Sequence, residues 1–157
     1  MKKPIPLPSQ ERLRELFTYE PETGKFSRRV RVNNRPVGST TKPVACGYLD
    51  QGVDGKKYRA HRLIWRYVTG EDPGALDVDH RNRNRSDNSW SNLRLGTKSQ
   101  NLQNMDCAGY TYHKRIGKWM AQIQVNKKSV KLGYFECPLM ARRAYEDAKK
   151  DMHEWGW

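Results

Sequence analysis

The chain has 157 residues, of which only 36% are hydrophobic, and a mean hydropathy of −1.01; this composition argues against one large apolar core and against a membrane-spanning chain. Thirty Lys and Arg face 17 Asp and Glu, a net charge of +13 that makes a polyanion, nucleic acid first, the expected partner. With 10% aromatic residues it is too rich for a solvated tail, and three scattered cysteines (Cys46, Cys107, Cys137) form neither a CxxC pair nor an even disulfide set.

In chain order, the lead-in MKKPIPLPSQ has no apolar run, so an intracellular, cytoplasmic protein without membrane association is expected. Ser9 caps a predicted helix over Glu11–Phe17, with Leu13, Leu16 and Phe17 on one face. Tyr19–Gly24 reads as a turn, Lys25–Val32 as a strand, and residues 33–43 as a polar loop. Asp54-Gly55 between Gly47–Val53 and Lys56–Arg59 predicts a hairpin. His61, Ile64, Trp65 and Val68 fall on one helical face that Gly70 ends. Charge is uneven along the chain: residues 1–74 carry 15 basic and 8 acidic groups, residues 75–107 carry 5 and 4, and residues 108–157 carry 10 and 5.

The middle of the chain carries the chemistry. Leu76–His80 and Asn92–Leu95 read as short strands, and Thr97 with Gln100 forms a capping box for a helix from Lys98 to about Met105. Hydrolysis of a phosphodiester needs a base for the attacking water and a cation for the developing charge. His80 can take a proton near neutral pH, Asp79 offers a charged oxygen and Asn101 a neutral one. Such hard donors suit Mg²⁺ or Mn²⁺ rather than zinc.

Beyond Cys107 three short strands are predicted, at Tyr110–Lys114, Lys118–Asn126 and Ser129–Phe135, followed by a helix over Leu139–Met152. In the middle strand Trp119, Ala121, Ile123 and Val125 alternate with polar residues, which predicts one face on the helix and one in solvent. Trp119, Ala121, Ile123, Val130, Leu132 and Phe135 are expected to pack on the helix. Thr111, His113, Gln122, Gln124 and Lys131 are expected on the open face, with Lys114, Arg115, Lys127 and Lys128 at the turns.

Two resemblances sharpen this reading. The run Val78-Asp-His80, Asp87-Asn88, Ser91-Asn-Leu-Arg94 and Ser99-Gln-Asn101 resembles the HNH endonuclease family, closest to its phage and intron-borne homing-type members. The resemblance implies a ββα-metal finger in which Asp79 and Asn101 hold one divalent cation, His80 is the general base and Asn92 ties the loop together. Arginines at 81, 83 and 85 depart from many relatives without touching the metal positions. The segment Tyr58–Trp65 also resembles the helix that precedes this motif, where His61 is expected to pack rather than to act.

Gly109-Tyr-Thr-Tyr-His113, Gly117–Ile123, Lys131–Phe135 and Ala141…Tyr145 resemble an AP2 domain, which implies a sheet laid in the major groove of DNA. The fold expected is α+β: an N-terminal basic helix and β-rich extension (1–57), the HNH core (58–107) and the AP2-like domain (108–157). The function expected is a site-preferring, nicking DNA endonuclease acting on duplex DNA as a monomer or weak dimer, without a small-molecule cofactor. Its competitors are a DNA-binding regulator with a degenerate core and an RNA-binding protein of ribosomal type.

Overall fold

A computed structural model describes residues 5–105 and 107–153 of the chain. It is a mixed α+β structure that divides into two compact units, Met1–Thr97 and Lys98–Trp157.

The first unit opens with helix α1 (Gln10–Leu16), whose N-cap Ser9 accepts from the Arg12 backbone N–H at 3.2 Å. Phe17, placed by its spacing at the end of that helix, instead starts strand β1 (Phe17–Glu20). That strand pairs antiparallel with β2 (Lys25–Arg28). Cross-strand stacking of Phe17 on Phe26, with centroids 4.6 Å apart, wins over the helical spacing. Strand β2 ends at Arg28 rather than Val32, because Arg28 N–H and carbonyl turn to Ser39 and Gly38.

A second small sheet follows, ordered β3 (Lys42–Pro43), β4 (Leu49–Val53), β5 (Lys56–Arg59); its first strand falls in the stretch read as loop. Asp54 and Gly55, at φ 46° and 79°, form the β4–β5 turn. Helix α2 (Ala60–Thr69) then buries Leu63 and Ile64 and ends on Gly70 in the left-handed conformation. The Gln10 side chain donates to the Tyr67 carbonyl at 2.9 Å, tying α1 to the last turn of α2. Strands β6 (Asp77–His80) and β7 (Leu93–Gly96) form an antiparallel pair joined by a loop with a 3₁₀ turn at Trp90–Asn92. Leu13, Phe17, Phe26, Leu63 and Ile64 are fully buried and form one core with Val78 and Leu93.

The second unit starts with helix α3 (Lys98–Asn104). Strands β8 (Tyr110–His113), β9 (Lys118–Val125) and β10 (Lys128–Phe135) make an antiparallel sheet with β9 in the centre. Helix α4 (Pro138–Met152), with Pro at its start, covers one face through Ala141, Tyr145 and Ala148. Ile123, Val125 and Leu132 meet that helix. Val130 remains 36% exposed, against the expectation that it packs on the helix; it lies toward the free end of the hairpin, opposite Ile123. A register shift between Lys131 and Gly133 lets the strand bend there. No described helix is long and apolar enough to cross a membrane.

Candidate active site

Adjacent residues on a strand leave opposite faces, and β6 uses both. Asp79 sits opposite Arg94 of β7, whose Nε and Nη2 donate to Asp79 Oδ2 at 3.3 and 3.2 Å. His80 leaves the other face and is 3% exposed. Its Nε2 lies 3.0 Å from Oδ1 of Asn88, a side chain 1% exposed. An amide oxygen only accepts, so Nε2 carries the proton and Nδ1 is the accepting nitrogen.

The loop between the strands is held by its own side chains. Asn92 Oδ1 accepts from the Asn82 backbone N–H at 2.9 Å, and its Nδ2 donates to the Asp87 carbonyl at 2.8 Å. The Asp87 carboxylate accepts from Ser89 Oγ at 2.8 Å and from Asn82 Nδ2 at 2.6 Å. Those bonds, Ser89 first, hold the Asp87 carboxyl below its usual value. From outside, Tyr19 donates its hydroxyl to the Asn88 carbonyl at 2.8 Å, and Trp90 N–H donates to Pro21. Gly24, at φ +70°, lies so close that a Cβ there would stand 2.4 Å from the backbone of Asn88 and Ser89. The β1–β2 turn therefore seats the loop that carries Asn88.

Around His80 stands a cluster of rings. His61 of α2 lies edge-on at 5.1 Å between centroids, and Tyr48 lies 5.2 Å from His61 and 6.0 Å from His80. The guanidiniums of Arg59 and Arg85 stand 5.0 and 4.9 Å from the Tyr48 ring. Burial first, then the neighbouring His80, pushes His61 down to about 3, so His61 is neutral at physiological pH. Burial also lowers His80 below 6.5, opposed by the Asn88 hydrogen bond and the Asp79 charge. A buried, neutral imidazole with a fixed tautomer is the form a general base requires.

Asp79, His80 and Asn92 thus come together on one strand pair and its loop, whereas Asn101 lies on α3, which is grouped with the second unit. Among the described residues no three His, Cys, Asp or Glu group together as metal ligands. A carboxylate and an amide oxygen are hard donors that fit Mg²⁺ or Mn²⁺, with water and phosphate oxygens supplying the rest. Sequence reasoning gave no role to Asn88, Arg94 or Tyr48. Asn88 and Arg94 stand inside the motif that points to the family, but Tyr48 reaches His80 only through the fold.

In the second unit the register puts Thr111 opposite Met120, and Gln122 opposite Lys131. Gln122, Gln124, Thr111 and Lys131 are exposed on the face away from α4, and Lys114, Arg115, Lys127 and Lys128 are exposed at the strand ends. The Lys131 ammonium rests 3.9 Å above the Tyr134 ring, and His113 meets the same ring edge-on at 5.7 Å. Tyr134 therefore holds two of the expected contact residues and is itself a member of the face.

A family model described as HNH endonuclease matches residues 58–103. Among solved structures, the chain is similar to the HNH homing endonuclease I-HmuI, in a structure described as showing its DNA binding and cleavage. The TM-score is 0.42 at 21% identity, over 74% of this chain and 71% of that one. No curated protein matches the chain. The stretch 58–103 runs from β5 through α2, the β6–β7 pair and most of α3; over it the chain carries an HNH endonuclease domain, the domain of a nuclease.

Proposed function

We propose that the chain is a metal-dependent DNA endonuclease of the homing type, which hydrolyses a phosphodiester on one strand of a preferred duplex site. The observation that carries this reading is His80, buried beside Asp79 with Nε2 against Asn88 Oδ1, so that Nδ1 is the nitrogen able to take a proton. His80 removes the proton of the attacking water. Asp79 and Asn101 hold the cation, and Asn92 keeps the loop closed around Asp87. A divalent cation, when bound, supplies a Lewis acid for the phosphate and the leaving oxygen. The AP2-like sheet reads DNA through Gln122 and Gln124, whose amides match adenine, with Thr111, His113 and Lys131 beside them. Lys114, Arg115, Lys127 and Lys128 meet phosphates.

One site per chain implies a nick. A specific observation favours a second reading, a DNA-binding regulator with a silent core: Arg94 already engages Asp79 Oδ2. A strand-resolved cleavage map on random-sequence duplex with Mg²⁺ or Mn²⁺ separates the two. The endonuclease reading predicts cuts on one strand at preferred sites. It also predicts that Gln122→Ala with Gln124→Ala flattens the preference by about tenfold or more, since each bidentate amide–adenine pair discriminates by about 1–3 kcal/mol. Binding without cutting under either metal would favour the regulator.

A further inference from the structure

A cleft of about 490 Å³ in the first unit lies between the 32–35 turn and the β4–β5 hairpin, lined by Arg28, Arg35, Gly52, Asp54, Lys56 and Lys57. Two of these guanidiniums converge on one glycine. Arg28 Nη2 donates to the Gly52 carbonyl, and Arg35 Nη1 stands 3.1 Å from where a Gly52 Cβ would be. A side chain at 52 would press on the Arg35 guanidinium, which would have to give by a few tenths of an ångström. Reciprocal backbone hydrogen bonds between Val32 and Arg35, at 3.0 and 3.2 Å, hold the short turn that presents Arg35.

The basic charge here is only partly offset, by Asp54, whose field reaches Arg28. Arg28 is 5% exposed, lies 5.0 Å from the Phe17 ring, and its Nε meets no acceptor among the described residues. Asp54 is the one acidic residue in the lining, and Arg12 already engages both its oxygens at 3.2 and 2.9 Å. No described carboxylate pairs with Arg28, Arg35, Lys56 or Lys57. Like charges gathered around a partly desolvated pocket repel each other, and the arrangement is relieved by an anion. Planar guanidiniums suit the oxygens of a phosphate.

We propose that this cleft holds a backbone phosphate of the DNA, with Arg35, Lys56 and Lys57 donating to it and Arg28 adding charge from beneath. The occupant rests on the reading that the chain acts on DNA. The position of the cleft outside the matched segment 58–103 makes it a grip separate from the chemistry.

Binding of the full chain to random-sequence duplex, measured in EDTA across a KCl series, tests this. Arg35→Gln with Lys57→Gln is compared with Lys25→Gln with Lys42→Gln, which removes the same net charge from the same unit outside the cleft. The cleft pair should reduce the salt slope by about 0.9, the share of one phosphate, so that the drop in affinity between about 50 and 200 mM KCl shrinks roughly three- to fourfold, with thermal midpoints alike. Equal behaviour of the two pairs, in a parent that binds DNA and cuts it, would overturn the cleft alone. A parent that binds no DNA would bring down the endonuclease reading and the cleft together. Calorimetric binding of pyrophosphate to the parent, with DNA affinity untouched in the cleft pair, would assign the cleft to a small anion and overturn the DNA occupant.

Discussion

His61 is the residue on which burial acts most plainly. Its folded value of about 3 lies below the ordinary 6.5, so between those values the unfolded chain binds a proton that the folded one refuses. Stability is therefore complete above pH 6.5 and falls as the pH drops toward 3. At about 1.4 kcal/mol per pH unit, lowering the pH from 6.5 to 5 should cost the parent about 2 kcal/mol more than a His61→Gln variant. Denaturant unfolding at the two pH values checks this, and equal slopes for parent and variant would refute it. Single residues were legible to different degrees. Asp79, His80, Asn92 and Asn101 stand out because an ordered motif names them. The Tyr48 ring, 32 residues before His80, carries no local mark and gains its place only when the β3–β4 segment and α2 pack together.

At the scale of elements, period and turn chemistry located most helices and strands. The hairpin at Asp54-Gly55, the Gly70 stop and the alternation in β9 all appear in the structure. What escaped were pairings decided at a distance: β1 forms because Phe17 meets Phe26, and β3 forms because Lys42 and Pro43 meet β4. Gly24 and Gly55 both adopt positive φ, but only Gly24 presses on backbone, while nothing lies within 4 Å of a Cβ at Gly55. Gly55→Ala should therefore cost about 1 kcal/mol of conformational strain. Gly24→Ala should cost about 2 kcal/mol or more and lower the cleavage rate, because the displaced turn releases the Asn88 loop. Thermal unfolding and nicking rates of the two variants check this. Equal losses would show that the packing of Gly24 on Asn88 is not a support.

For the whole molecule, charge is spread unevenly along the chain. The basic excess lies in residues 1–74 and 108–157, on either side of a nearly balanced centre that holds Asp79 and His80. Such a distribution suits a chain that grips a polyanion at several places and acts on it at one. Composition points to a polyanionic partner but not to where it would be held. The cleft at Arg28 and Arg35 depends on a turn and a glycine that no periodicity marks.

The central claim is that His80 serves as the base of a one-strand cut. Supercoiled plasmid incubated with the protein and Mg²⁺ tests it most directly, with His80→Ala beside the parent and duplex binding measured for both. The parent should convert the plasmid to the nicked circle. The variant should bind DNA as the parent does and nick it about 10²- to 10⁴-fold more slowly. A His80→Ala protein that nicks at the parental rate would contradict the account.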